Sequence, residues 1–251
     1  MRNFAACLGI WAALLGRAPA LANWTGICPE GAARLNFALP HTSAAVAANQ
    51  PVVVVALGSS STRGWMSSGI GYAYPSVLQR LLSDAMPFAD FAVVNRGIGG
   101  QDALAEVGRL DQDVLALRPQ LVIWQTGAND ALHGVTPEQF RKTVDEGVAR
   151  LQQRGADVIL MDNQHSPRID ANADAARLNQ VLAQVAIRAE VNLFSRASLM
   201  QEWAEAGDPL SDFVAHDGLH MNDAGYACTA RALAQSIVTA LPSHTTRHYP
   251  P

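Results

Sequence analysis

Short runs of apolar residues alternate along the chain with longer amphipathic segments. The first run, Pro51–Leu57, contains four consecutive valines and is typical of a strand that is covered on both faces. Similar runs predict four more strands, at Phe88–Asn95, Leu121–Trp124, Val158–Met161 and Val191–Phe194. Because helical patterns separate these runs, the chain is predicted to form a parallel sheet with helices on both faces.

The predicted helices are recognised by apolar residues at helical spacing and by the residues at their ends. The clearest has Thr136 as its N-cap and Pro137 at its first position, runs to Arg154, and is closed by Gly155. The others are expected at Pro75–Met86, Ala103–Leu117, Asp170–Glu190, Ala197–Ala206 and Asp223–Leu241. No internal repeat and no linker interrupts this alternation, so the sequence predicts a single α/β domain.

The two ends of the chain differ from this pattern. A positive charge precedes the apolar core Phe4–Leu15, and small residues follow, which indicates a secretory signal peptide cleaved after Ala22 or, alternatively, Ala20. The core is interrupted at Gly16–Arg17, well short of the roughly 20 residues that span a bilayer, so no membrane anchor is predicted. The predicted organisation is a signal peptide at 1–22, an N-terminal extension with one short helix at 23–50, the α/β domain at 51–242 and a disordered tail at 243–251.

Charge and cysteine content narrow the classes of function. The 251 residues include 18 Lys and Arg against 22 Asp and Glu, so no basic surface for nucleic acid is predicted. Cys7 lies in the predicted signal peptide, which leaves Cys28 and Cys228 as a pair in a compartment that permits disulfides. We interpret them as a disulfide between the N-terminal segment and the last helix, with two separate buried thiols as the alternative.

Residues suited to chemistry follow three of the predicted strands. Ser60 lies in a run of hydroxyl residues after the first strand, Gly100 in a glycine-rich loop after the second, and Asn129 after the third. Ligands and catalytic groups gather at the carboxyl ends of parallel strands. Taken alone, the run of serines also suits a turn that caps the next helix.

A loop late in the chain supplies the partners that a serine nucleophile needs, which are a base and an acid that orients the base. Asp217 and His220 lie three residues apart, close enough for the carboxylate to reach one imidazole nitrogen. The other nitrogen is then free to face Ser60. The backbone amides of Ser60 and Gly100 and the side-chain amide of Asn129 are candidate donors to a developing oxyanion.

Four blocks, in this order, resemble the sequence blocks of SGNH (GDSL-type) hydrolases: Gly58–Thr62, Asn95–Gly100, Gly127–Asp130 and Asp217–His220. The resemblance covers about 52–241, nearly all of the predicted mature chain. It implies a three-layer α/β/α flavodoxin-like fold with a roughly five-stranded parallel sheet. It also implies the hydrolysis of carboxylic esters or thioesters.

The resemblance also assigns roles residue by residue. Gly100 is taken as an oxyanion donor in preference to Gly97 and Gly99 because it lies five residues after Asn95, as in the family. Ser59 stands where the family usually has Asp, so the hydrogen bonding of this loop is expected to differ while the chemistry is retained. The implied roles are Ser60 as nucleophile, His220 as base, Asp217 as orienting acid, and Ser60, Gly100 and Asn129 as the oxyanion hole.

Other kinds of site are disfavoured. Thr62 occupies the position where an α/β-hydrolase elbow needs glycine, and Asp102 replaces the third glycine of a dinucleotide motif. His216 and His220 have the spacing of helical metal ligands, but Gly218 between them favours a loop and no Glu follows His216. Neither a metal nor another cofactor is predicted.

These observations predict an exported serine esterase, located in the periplasm or outside the cell. The substrate is expected to be a small-molecule or polymer-borne ester with a short acyl group, such as an O-acetyl group on carbohydrate or cell-wall material, because no long apolar lid segment is evident. The alternatives are a lysophospholipase or thioesterase of the same fold, and an exported ligand-binding domain without catalysis.

Overall fold

The computed structural model describes residues 28–29 and 34–241. The signal peptide predicted at 1–22 and the tail predicted at 243–251 lie outside the described residues and stay predictions.

One parallel sheet organises the described residues. Its strands lie in the order β2-β1-β3-β4-β5, which is the flavodoxin-like order, and every pairing is parallel. This arrangement confirms the predicted fold class. The strands are β1 (Val52–Gly58), β2 (Phe91–Gly97), β3 (Leu121–Gln125), β4 (Asp157–Met161) and β5 (Asn192–Phe194).

Helices cover both faces of this sheet, so the described part of the chain has three layers. Helices α1, α3, α10 and α11 pack on one face, and α4 to α9 pack on the other. The described residues form α1 (Pro40–Ala47), α2 (Ser60–Arg63), α3 (Tyr74–Ala85), α4 (Ala103–Gly108), α5 (Leu110–Asp113), α6 (Ala128–Leu132), α7 (Pro137–Gln153), α8 (Pro167–Asp170), α9 (Ala173–Arg188), α10 (Arg196–Glu205) and α11 (Asp223–Ala240).

The apolar residues of β1 are divided between two cores. Val52, Val54 and Ala56 belong to the core beneath α3 and α11, whereas Val55 and Leu57 belong to the core beneath α7 and α9. Successive side chains of a strand point to opposite faces, so a central strand needs apolar residues at every position. This requirement explains the valine run.

Two helices that the sequence predicts as continuous are interrupted. The segment 103–117 divides into α4, α5 and a 3-10 turn, because Gly108 is a poor helix former and Arg109 leaves the helical conformation at φ −112° and ψ 9°. The helix predicted from Asp170 begins instead at Ala173, where the side chain of Asn172 accepts a hydrogen bond from the first turn. The preceding residues form the separate short helix α8.

A disulfide joins Cys28 to Cys228 in α11, with their Cα atoms 5.2 Å apart. It ties the N-terminal segment to the helix that follows the late loop. In the described part of the chain, every helix is too short or too polar to cross a bilayer.

Candidate active site

The turn after β1 places Ser60 at the first position of α2. A side chain at Gly58 has no room, because its Cβ would lie 2.3 Å from the Thr62 hydroxyl and 2.8 Å from the Gln125 carbonyl oxygen. Gly64, at φ 89°, ends the helix in the left-handed conformation that glycine adopts readily. The sharp turn therefore places the half-buried Ser60 at the carboxyl edge of the sheet.

Two residues of the second sequence block support this short helix. The Asn95 side chain donates to the carbonyl oxygen of Thr62 over 2.8 Å, and its own oxygen accepts from the Gly97 amide over 2.9 Å. A Cβ at Gly97 would lie 2.2 Å from the Arg63 nitrogen, so only glycine permits this close packing of α2 on β2. The second block therefore holds α2 against β2, in addition to forming the glycine-rich loop.

A chain of hydrogen bonds links Asp217, His220 and Ser60. The Asp217 carboxylate lies 2.5 Å from His220 Nδ1, and His220 Nε2 lies 2.7 Å from the Ser60 hydroxyl oxygen. Since the carboxylate accepts the proton on Nδ1, Nε2 is left as the acceptor for the serine. The structure thus brings together three side chains that are up to 160 residues apart in sequence.

The surroundings of Asp217 favour its ionised form. Partial burial raises the pKa of this carboxyl, but hydrogen bonds from the His220 ring and from the backbone amides of His220 and Leu219 outweigh it, so the pKa lies below its ordinary value. Both amides donate to the same oxygen, Oδ1, over 3.0 Å. This leaves Oδ2 for the imidazole and fixes the orientation of the carboxylate.

Backbone donors are available next to Ser60. Within the described residues, the amides of Ser60 and Gly100 donate no hydrogen bond, and Gly100 has a φ of 80°. The loop passes close to the serine, because a Cβ on Gly99 would lie 3.8 Å from the Ser60 Cβ. The Asn129 amide gives one of its two N–H groups to the Gln101 carbonyl oxygen over 2.7 Å, which leaves the second for another acceptor.

A model of the non-GDSL lipase-like family matches residues 26–243. The protein belongs to this family. The match confirms the resemblance to SGNH hydrolases that the four sequence blocks indicate. The family description also suits the first block, in which Ser59 replaces the usual Asp.

Known esterases are similar to this chain in sequence or in fold. Esterase TesA of Pseudomonas aeruginosa is 30% identical over 127 residues, which are 48% of this chain and 58% of that protein. An arylesterase of Vibrio mimicus is 26% identical over 199 residues, 79% of this chain and 94% of that protein. The crystal structure of a two-domain esterase active on acetylated mannans has the same fold, with a TM-score of 0.71 at 23% identity over 86% of this chain and 57% of that one. The sequence match thus spans little more than half the length of the Pseudomonas TesA, and the structural match little more than half that of the two-domain esterase.

Gln125 supplies the hydrogen bonding of the loop that lacks the family Asp. Its side-chain oxygen accepts from the Ser59 amide over 3.2 Å, from the Ser59 hydroxyl over 3.3 Å and from the Thr62 hydroxyl over 3.1 Å. The side chain is fully buried at the end of β3. Residues on both sides of Ser60 are therefore held by a single amide.

Replacing Gln125 by methionine removes this acceptor at similar volume. We expect kcat to fall roughly 10- to 100-fold with little change in KM, because a small displacement of a nucleophile is costly. The matched control is Gln120→Met, since Gln120 accepts from the Val53 amide over 2.7 Å at the opposite edge of the sheet. Steady-state kinetics with p-nitrophenyl acetate compare the two variants. Equal losses of kcat in both would contradict a local role for Gln125.

Arg109 joins the strand ends to the glycine-rich loop. Its guanidinium donates to the carbonyl oxygens of Gly58 over 3.1 Å and Arg96 over 2.8 Å, and to the Gln101 side chain over 2.6 Å. An ion pair with Asp113 orients the same group. Sequence reasoning missed both Arg109 and Gln125, and the only signal was a polar residue ending the apolar run of β3.

Asp130 of the third block is buried beneath the same loop. Both of its oxygens lie 3.2 Å from the Ala103 amide at the start of α4. Burial raises the pKa of Asp130 to about 6; the Ala103 amide opposes this rise and the nearby charge of Asp102 adds to it. Glu106 is fully buried as well, and desolvation holds its pKa well above the ordinary value despite the hydrogen bond from the Trp124 indole.

The raised pKa of Asp130 makes the free energy of unfolding depend on pH. The folded state holds the Asp130 proton more tightly than the unfolded state, so protonation of Asp130 stabilises the fold. This contribution to the free energy of unfolding is complete below pH 3.8 and is lost as the pH rises through about 6. Between pH 4 and pH 7.5, the free energy of unfolding of the wild type is expected to fall by about 2 kcal/mol relative to that of Asp130→Asn. Urea unfolding at both values measures this difference, with the exposed Asp84→Asn as background. A constant difference between the wild type and Asp130→Asn would contradict the expectation.

Three other histidines, among them the His216 that the sequence analysis weighed as a metal ligand, lie outside this arrangement. His216 is exposed, and His133 lies 3.6 Å from Asp102 with half of its side chain exposed. His165 is hydrogen-bonded to Asp170 over 2.8 Å. Among the residues that the structure describes, no three His, Cys, Asp or Glu side chains are grouped to hold a metal ion.

Proposed function

We propose that the protein is a serine esterase that hydrolyses carboxylic esters through an acyl-enzyme. The observation that carries the proposal is the chain of hydrogen bonds from Asp217 through His220 to the Ser60 hydroxyl. The same three residue types act together in serine hydrolases on unrelated folds. The esterases among the relatives support the same class of reaction.

In the first step, the Ser60 oxygen attacks the ester carbonyl carbon while its proton passes to His220 Nε2, 2.7 Å away. The carbonyl oxygen becomes an oxyanion, for which the amides of Ser60 and Gly100 and the free N–H of Asn129 are the proposed donors. His220 then gives its proton to the leaving alcohol as the carbon–oxygen bond breaks. The products are the free alcohol and an ester of Ser60.

In the second step, water attacks the acyl-enzyme and gives its proton to His220. The second tetrahedral intermediate collapses, Ser60 regains its proton, and the carboxylic acid leaves. During both steps His220 carries a positive charge, which the ionised Asp217 stabilises. The lowered pKa of Asp217 keeps this carboxylate charged into the acid range.

We propose a short acyl group as the preferred substrate, including O-acetyl groups on carbohydrate or cell-wall material. The two-domain esterase with the same fold acts on acetylated mannans, and the curated relatives include an arylesterase. We also propose that the protein is exported to the periplasm or beyond. The N-terminal pattern and the Cys28–Cys228 disulfide support an oxidising compartment.

Labelling with a fluorophosphonate, followed by peptide mass spectrometry, tests the proposal on the purified protein. The reagent reacts with an activated serine, so modification is expected at Ser60 and is expected to be lost in His220→Ala. Modification of another serine would overturn the assignment of the nucleophile. A folded protein that takes no label would favour the ligand-binding alternative.

A further inference from the structure

A cavity of about 380 Å³ lies at the carboxyl edge of the sheet, beyond β4. One wall is formed by Gln164, His165, Ile169 and Asp170, and another is a face of α9. On that face, Ala175 and Ala176 lie between Asn172 and Asn179 at helical spacing, so small side chains leave the space open and amides border it. The volume is in the range of small-molecule sites.

The wall of this cavity is also in contact with the catalytic loop. Gln164 donates to the Leu219 carbonyl oxygen over 2.7 Å, and the Arg168 amide donates to the Gly218 carbonyl oxygen over 3.0 Å. His220 follows directly in the chain. Strands lie about 4.8 Å apart, so the ends of β1 and β4, separated by β3, lie about 10 Å from each other. The cavity is thus beside the proposed acyl site, but too far from Ser60 to hold the scissile bond itself.

The polar groups of the cavity form a mixed set of donors and acceptors. His165 Nδ1 is hydrogen-bonded to the Asp170 carboxylate, and Asn179 Oδ1 accepts from the backbone amide of Asn163. Within the described residues, His165 Nε2, the second Asp170 oxygen and the Asn179 amide nitrogen make no hydrogen bond. Gln164, 1% exposed, also has an unpaired side-chain oxygen.

This set suits hydroxyl groups, each of which donates and accepts a hydrogen bond. No Lys or Arg lines the cavity, and Asp170 is present, so an anionic ligand such as a phosphate is disfavoured. We infer that the cavity is a subsite for a neutral, hydroxyl-rich chain, namely the carbohydrate part of an ester whose acyl group lies at Ser60. The inference rests on the proposed function and extends it to the alcohol part of the substrate.

Two variants change the cavity and leave the proposed catalytic residues intact. Ala176→Leu fills it from an exposed position of α9, and His165→Ala removes a polar group. Gln184→Leu, on an exposed position of the same helix outside the cavity, is the matched control. The substrates are p-nitrophenyl acetate and O-acetylated mannotetraose, xylotetraose and cellotetraose.

Both cavity variants are expected to raise KM for at least one acetylated tetrasaccharide about five- to tenfold, the effect of losing one or two hydrogen bonds. The kcat/KM for p-nitrophenyl acetate is expected to stay within about twofold, because this ester is too small to reach the cavity. Calorimetric titration with the deacetylated tetrasaccharides measures binding without turnover. We expect binding by the wild type and by Gln184→Leu, and loss of binding in Ala176→Leu.

The outcomes separate the inference from the proposed function. A wild type that cleaves p-nitrophenyl acetate but neither binds nor deacetylates any of the tetrasaccharides would overturn the subsite alone. Equal losses with both classes of ester would show a merely structural role for the cavity and also overturn it. A folded wild type that cleaves no ester overturns the proposed function, and in that case tetrasaccharide binding sensitive to Ala176→Leu would still support the cavity as a carbohydrate site.

Discussion

Ser60→Ala is expected to lower kcat/KM for p-nitrophenyl acetate by about four to six orders of magnitude. The variant removes the only atom that bonds covalently to the acyl group, so the reaction reverts to direct attack by water. Residual activity is expected from the oxyanion donors and from substrate binding. Stopped-flow and long-time absorbance assays, with a correction for background hydrolysis, measure both ends of this range.

The fold is expected to tolerate this change. Ser60 begins a short helix at the sheet edge and its hydroxyl bonds to His220, so the free energy of unfolding should change by about 1 kcal/mol or less. Ser61→Ala is the matched control, since it removes a neighbouring hydroxyl from the same run. Full activity in Ser60→Ala, or an equal loss in Ser61→Ala, would refute Ser60 as the nucleophile.

Asp217→Asn is expected to lower kcat by about three to four orders of magnitude. Asp217 Oδ1 accepts from two backbone amides, so the carbonyl oxygen of asparagine would take that place. The amide nitrogen would then face His220 Nδ1 in the position of Oδ2. Because the amide nitrogen donates, His220 Nδ1 has to accept, and the ring proton moves to Nε2. A protonated Nε2 cannot take the proton of the Ser60 hydroxyl.

A control variant separates the orientation of His220 by Asp217 from the mere loss of a negative charge near the site. Asp212→Asn, an exposed carboxylate that precedes the same loop, is the control and should keep kcat within about twofold. KM is expected to change little in Asp217→Asn, because the carboxylate acts through the imidazole. A loss of less than tenfold in kcat would refute the proposed role of Asp217.

Local patterns predicted the class of fold well. Strands buried on both faces need unbroken apolar runs, so β1 and β3 stand out in the sequence with boundaries within one residue of those in the structure. The N-cap and the first position of α7 are adjacent residues, so Thr136 and Pro137 mark its start in the sequence, and the structure confirms it. The contacts that the Arg109 side chain makes where the helix predicted at 103–117 is interrupted, with carbonyl oxygens at the ends of two strands, lie outside any local window.

The same distinction applies to the candidate site. Parallel strands place their carboxyl ends at one edge, so the sequence alone associated Ser60, Gly100 and Asn129 before any contact between them was known. The acceptor role of Gln125, the position of Arg109 and the cavity beside α8 come from side chains that meet across the sheet edge. Periodicity and motif spacing record which residues share a face or a turn. Contacts between distant segments depend on how the helices pack, and only the tertiary structure decides them.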